Sequence, residues 1–173
     1  MITKGEVFEL SDIDQKIVEL IATERQLNKE RTGVNGKGTA ANDDRHLYRN
    51  RIGFGAEYLL CKHNNLFPDF WIGNTSKMKG TDDYDAVING FKVDVKTSEK
   101  DIPLMTPTYS KSDCDIFAYF YCKYPRYRFE GYATNKMLFQ DHNIRDVRVQ
   151  SYVLEKKYLL NFWDLDLCRI SDF

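Results

Sequence analysis

Asp85, Asp94 and Lys96 sit on two short apolar runs, YDAVI and FKVDVK, separated by Asn89-Gly90. An Asn-Gly pair between alternating runs is the strongest short signal for a two-residue type I′ turn. The turn sets a register in which Ile88 faces Phe91, Val87 faces Lys92, Ala86 faces Val93, Asp85 faces Asp94 and Asp83 faces Lys96. Side chains alternate across a strand. Tyr84, Ala86, Ile88, Phe91, Val93 and Val95 are therefore expected on a core face, with Asp85, Lys92, Asp94 and Lys96 on the other. Two opposed carboxylates, roughly 4.5–5.5 Å apart at Cβ, repel and destabilise their pair. A divalent cation would relieve this, because hard carboxylate oxygens are what Mg²⁺ takes. The alternative is a solvated polar face, with Asp83 and Lys96 as an ordinary cross-strand ion pair of little net worth.

A third acid lies upstream, in RIGFGAEYLLCKH. On a helix, Glu57 has Gly53, Leu60 and Cys61 as neighbours three or four positions away. A carboxylate in such apolar company needs a partner, and Gly53 would let the helix backbone approach a sheet closely. Glu57 either joins the two aspartates or bonds to Arg51 or Lys62.

The elements that must hold these residues follow from patterning. Ser11 is placed to cap a helix through DIDQKIVELIATERQLNKER, where Ile13, Ile17, Leu20, Ile21 and Leu27 recur near helical spacing. Residues 32–44, TGVNGKGTAANDD, read as a loop. A second helix is expected from about His46 to His63. PDFWI reads as a short strand, and the hairpin follows. TSEKDIPLMTPTYSKSDCD reads as a long connection with a short helix. DIFAYFYC is a nearly continuous apolar run, as in a central strand buried on both faces. KYPR forms a turn to a partner strand, YRFEGYAT. NKMLFQDHN reads as a helical turn, and SYVLEKKYLLNFWDLDL as a strand end followed by a helix. The order predicts an α/β or α+β domain. A helical part spans 1–44, a core about 45–135, and a closing mixed region 136–173.

Length and composition bound the rest. The 173 residues suit one domain with a substantial core, and 42% are hydrophobic. The net charge of −1 announces no polyanion binder, although phosphates respond to local lysines and arginines. Cys61, Cys114, Cys122 and Cys168 lack the spacing of a zinc cage and read as reduced, buried thiols. MITKGEVFELSDIDQK is too acidic for a signal peptide, and no apolar run approaches the ~20 residues of a membrane span. The expectation is a soluble cytoplasmic protein with no membrane partner.

An acid on an early helix, an Asp on one strand and Asp-x-Lys on the next resemble the PD-(D/E)XK nuclease superfamily. The matching stretches are GAEYLL around Glu57, DYDAVI around Asp85 and VDVKT around Asp94 and Lys96. Tyr84 stands where the namesake proline would be. The resemblance implies a restriction endonuclease-like mixed sheet of about four or five strands flanked by helices. It implies an Mg²⁺-dependent nuclease, most simply a DNA endonuclease of restriction, resolvase or viral-processing type, with Mn²⁺ able to substitute. Asp85, Asp94 and the Val95 carbonyl would hold the ion. Glu57 would hold a water on the ion, or a second ion. Lys96 would orient or deprotonate the attacking water and stabilise phosphate charge. Arg45, Arg49, Lys77, Lys79, Thr97 and Ser98 are candidate nucleic-acid contacts, with Arg51, Lys123, Tyr124, Arg126, Tyr127 and Arg128 as further basic and aromatic residues; such a mixture can grip phosphates and stack on bases, or equally form a solvated face with aromatic packing. A homodimer would suit cleavage of both strands. The alternative is a nuclease-fold module that binds nucleic acid or a protein without cleaving.

Overall fold

The computed structural model describes residues 2–31, 43–70, 72, 84–110 and 112–161. A short strand, β1 (Val7–Glu9), leads into α1 (Asp12–Arg31). Ser11 and Asp14 start that helix by capping each other. The Asp14 N–H donates to Ser11 Oγ at 3.2 Å, and the Ser11 N–H donates back to Asp14 Oδ2 at 3.2 Å. This is a capping box with Asp in the place usually held by Glu or Gln. The buried face of α1 is Asp14, Val18, Ile21, Ala22 and Gln26. Ile13 and Leu20, expected in the apolar stripe, are instead 70% and 61% exposed. The inward stripe lies one position over because Asp14 is satisfied there. Its carboxylate accepts from the Tyr58 hydroxyl at 2.8 Å and from Lys62 at 2.8 Å.

The second helix, α2 (Asp43–His63), begins slightly earlier than its periodicity suggests. It packs directly on the sheet, and Gly55 makes the close approach possible. A Cβ there would overlap the Tyr127 hydroxyl and lie 2.9 Å from its Cζ, whereas a Cβ at Gly53 would meet nothing within 4 Å. The expectation placed on Gly53 thus belongs to Gly55.

The main sheet comprises β1, β2 (Ala86–Ile88), β3 (Phe91–Ser98), β5 (Ile116–Lys123) and β6 (Arg126–Thr134), in the order β1-β6-β5-β3-β2. Only β3 and β5 run parallel; the other pairs are antiparallel. β5 occupies the centre, and its continuous apolar run is buried on both faces as expected. On one face Val93, Val95, Ala118 and Phe120 pack with Ile52, Leu59 and Leu60 of α2. On the other, Phe117, Tyr119 and Ala133 pack with Leu104, Leu138 and Leu154. That second core is covered by α3 (Asn135–Leu138) and a three-stranded sheet of β4 (Leu104–Pro107), β7 (Ile144–Asp146) and β8 (Gln150–Leu154), in the order β4-β8-β7.

The chain is therefore a mixed α/β structure, with helices against a five-stranded mixed sheet and a second small sheet beside it. Several local expectations change. The region expected to be only helix and loop before residue 45 contains β1, whose partner β6 lies more than a hundred residues away. The connection after β3 contains β4 and a 3₁₀ turn at Thr108–Ser110 rather than a short α-helix. Pro68–Phe70 forms no strand, and Trp71 lies outside the described residues. β8 is followed by a 3₁₀ turn at Lys156–Tyr158, and the helix expected beyond residue 161 lies outside the described residues. Cys168 lies outside the described residues, and Cys61, Cys114 and Cys122 are buried. Burial pushes each of these thiols up to about 11. Among the described residues, no helix is long and apolar enough to cross a membrane.

Candidate active site

Asn89 and Gly90 adopt φ of 51° and 87°, the left-handed pair that a type I′ turn requires. The register is the one expected, with Ile88 opposite Phe91, Val87 opposite Lys92 and Ala86 opposite Val93. The ladder breaks at Asp85. Counting from a two-residue turn, Ala86–Val93 and Tyr84–Val95 are the pairs that would exchange backbone bonds. Instead the Asp85 N–H donates to the Val93 carbonyl at 2.8 Å, and the Val95 N–H donates to Asp85 Oδ2 at 2.6 Å. The carboxylate turns into the plane of the sheet and takes a donor that a backbone carbonyl would otherwise satisfy. Asp85 thus does not sit squarely opposite Asp94. Tyr84 also leaves the core face: it is 42% exposed, with the Lys92 ammonium 5.5 Å from its ring.

Asp94 and Lys96 alternate away from Val93 and Val95, on the sheet face opposite α2. The Lys96 ammonium lies 2.6 and 2.7 Å from the two Asp94 oxygens, and both side chains are half-buried or deeper. Val95 directs its N–H at Asp85. In an extended strand a residue's carbonyl points to the same side, so the Val95 oxygen also faces the Asp85 edge.

Glu57 approaches from the helix side. Its partner is Arg25 of α1, at 3.2 Å, rather than Arg51 or Lys62. Arg25 also donates to the Asp69 carbonyl at 2.8 Å and lies 4.6 Å from the Phe54 ring. Lys62 is committed to Asp14, and Arg51 to two aromatic rings. Arg25 is the residue that the sequence reading missed. The available signal was its position on the inward face of α1, in line with Val18 and Ile21.

Asp85 lies at the end of an edge strand, where groups from both faces reach it. Burial pushes its carboxyl up to about 7, and the Glu57 charge adds to this. The Val95 N–H opposes the shift; Asp94 raises it further and Lys96 lowers it. Glu57 is likewise pushed above the usual carboxylate range, first by burial, with Asp69 and Asp94 adding and Arg25 opposing. Perturbation by burial and like charge together is characteristic of functional carboxylates.

Among the described residues, no three His, Cys, Asp or Glu side chains form a metal-ligating cluster. The donor set nonetheless suits a hard cation. Asp85, Asp94, Glu57 and the Val95 carbonyl are all oxygen donors.

Thr97 and Ser98 continue β3 beyond Lys96 and are half-buried. The Ser98 hydroxyl donates to the Lys100 carbonyl at 2.9 Å. Arg45 and Arg49 are exposed on the first turns of α2. Arg126 pairs with Glu9 and Arg128 with Glu130, which gives both a structural partner. Tyr127 is buried in the core beneath Gly55. Lys77, Lys79 and Asp83 lie outside the described residues. No family model, curated protein or solved structure matches the chain.

Proposed function

We propose that this protein is a metal-dependent phosphodiesterase that cuts DNA, built on a restriction endonuclease-like core. The observation that carries the reading is Asp85. Its carboxylate takes the Val95 N–H beside the Asp94–Lys96 pair, and its carboxyl is pushed up to about 7, first by burial and then by the Glu57 and Asp94 charges.

When bound, Mg²⁺ or Mn²⁺ supplies charge that neutralises the transferring phosphate and acidifies a water. Asp85, Asp94 and the Val95 carbonyl would hold it. The Val95 N–H orients the Asp85 carboxylate through Oδ2. Lys96 pairs with Asp94 now; with Asp94 engaged elsewhere, its ammonium is placed to donate to a phosphate oxygen or to orient the attacking water. Glu57 is raised by burial and steadied by Arg25, and it is the group best placed to accept a hydrogen bond from that water on the helix side.

One observation favours a second reading. Asp94 is fully engaged by Lys96 and Glu57 by Arg25, so two of the acids already have partners, as a non-cleaving nucleic-acid-binding module would allow. Incubation with plasmid, linear, single-stranded and branched DNA, with and without Mg²⁺, separates the two. Cleavage only with the metal supports the phosphodiesterase. Binding without cleavage supports the module, and neither binding nor cleavage contradicts both.

A further inference from the structure

The arginines of the described structure are not equivalent. Arg25, Arg126 and Arg128 each pair with a carboxylate. Arg51 does not. Its guanidinium lies 4.6 Å from the Tyr124 ring centroid and 5.0 Å from that of Tyr48. Its buried Nε has no hydrogen-bond partner. Among the described residues, no acid stands within ion-pair distance of it.

The two rings are themselves held. The Tyr48 hydroxyl donates to Glu99 Oε1 at 2.6 Å, and that acceptor pushes the phenol up to about 12, so it stays a donor. Tyr124 packs edge-on against the buried Tyr127, with centroids 6.4 Å apart. A guanidinium stacked on fixed rings loses little freedom on binding. Its N–H edge, a planar fork, matches the oxygens of a phosphate. The stacking is itself favourable, but it leaves the guanidinium charge without a carboxylate beside it.

The position is also suitable. α2 runs antiparallel over β3: Tyr48, near the helix start, reaches Glu99 just past the strand end, and Glu57 senses Asp94 and Asp85 further back. Arg51 precedes Glu57 by six residues, about 9 Å along the helix axis at 1.5 Å per residue. Six residues also turn the two side chains about 120° apart around the helix, so their separation exceeds this rise, which alone spans two to three nucleotides at roughly 3.4 Å each along a DNA strand. Thr97 and Ser98 lie between the two levels on β3.

We propose that Arg51, stacked on Tyr48 and Tyr124, binds a backbone phosphate of the DNA strand at least two nucleotides from the bond to be cut. This rests on the phosphodiesterase reading and adds a specific contact to it.

The test uses the full chain carrying Asp94→Ala, so that binding is measured without cleavage. A fluorescein-labelled duplex and its single strand are titrated at several salt concentrations, with circular dichroism and melting checking the fold of each variant. Adding Arg51→Gln is expected to weaken binding about five- to tenfold and to reduce the slope of log K against log salt by about 0.9 for duplex, or about 0.7 for single strand. Arg51→Lys keeps the charge and the slope, and loses affinity because an ammonium cannot make the planar two-pronged contact. A folded Arg51→Gln variant with unchanged affinity and slope, alongside a loss in Arg45→Gln/Arg49→Gln, overturns the Arg51 site and leaves the nuclease reading standing. If Arg51→Gln does not fold, Arg51→Lys decides: weakened binding supports the site and unchanged binding overturns it. If the Asp94→Ala parent binds neither DNA, both readings fail.

Discussion

The Asp85 carboxylate accepts the Val95 backbone N–H at 2.6 Å, in the place where a regular hairpin would have put a backbone carbonyl. This single bond ties an acid on the edge strand to the middle residue of the Asp94-Val95-Lys96 stretch. It sets the distance between the two halves of the site and leaves Asp85 half-buried beside other negative charge.

The protein should therefore be stabilised by the cation that its acids would share. Mg²⁺ or Mn²⁺ at saturating concentration should raise the melting temperature, because binding to the folded state alone shifts the equilibrium by mass action. Asp94→Ala should abolish the gain. Equal melting temperatures with and without metal in the wild type would count against a preformed site.

Asp85 should make the metal-free protein less stable as pH rises. Its carboxyl is at about 7 when folded, against an ordinary value of 3.8. Below about pH 4 both states are protonated and the group contributes nothing. Between about 4 and 7 the unfolded chain releases the proton and the folded one retains it, so stability falls; above 7 the penalty is constant. The upper bound is on the order of 4 kcal/mol, at about 1.4 kcal/mol per unit. Asp85→Asn, which can still accept the Val95 N–H, should flatten this dependence and be more stable than wild type at pH 8 while losing cleavage. Urea unfolding at pH 5 and pH 8 reads the difference, and an Asn variant less stable than wild type at pH 8 would refute the assignment.

Glu57 and Arg25 should separate chemistry from folding. Glu57→Gln is neutral and can still accept from Arg25, so folding should change by less than about 1 kcal/mol while cleavage falls at least tenfold. Arg25→Met leaves a largely buried carboxylate unpaired and should cost roughly 3 kcal/mol at pH 8, and less as pH falls, because burial raises the Glu57 carboxyl. Unfolding of Glu57→Gln with normal activity per folded molecule would make Glu57 a structural residue.

The hairpin could be read from the sequence because its information is local. Asn89-Gly90 dictates the turn, and alternation dictates that Val93 and Val95 face the core. The break at Asp85 could not be read this way, since it depends on a side chain outcompeting a backbone acceptor. Arg25 was hidden for a different reason: its pairing with Glu57 joins two helices, and nothing in either local pattern names the partner. The exposure of Ile13 and Leu20 has the same origin. Two adjacent stripes of α1 have helical spacing, and the Tyr58 and Lys62 partners of Asp14, themselves distant in sequence, decide which turns inward.

Lys96 provides the most direct test of the phosphodiesterase. Lys96→Met retains the aliphatic stem and removes the ammonium that now lies 2.6 Å from Asp94. DNA binding and Mg²⁺-dependent cleavage should be measured side by side on wild-type and Lys96→Met protein purified identically. The expected result is a native fold, binding weakened only slightly as one phosphate contact among several, and a cleavage step slowed on the order of a hundredfold or more. Wild-type cleavage in the Lys96→Met protein, or no Mg²⁺-dependent cleavage by the wild type, would contradict it.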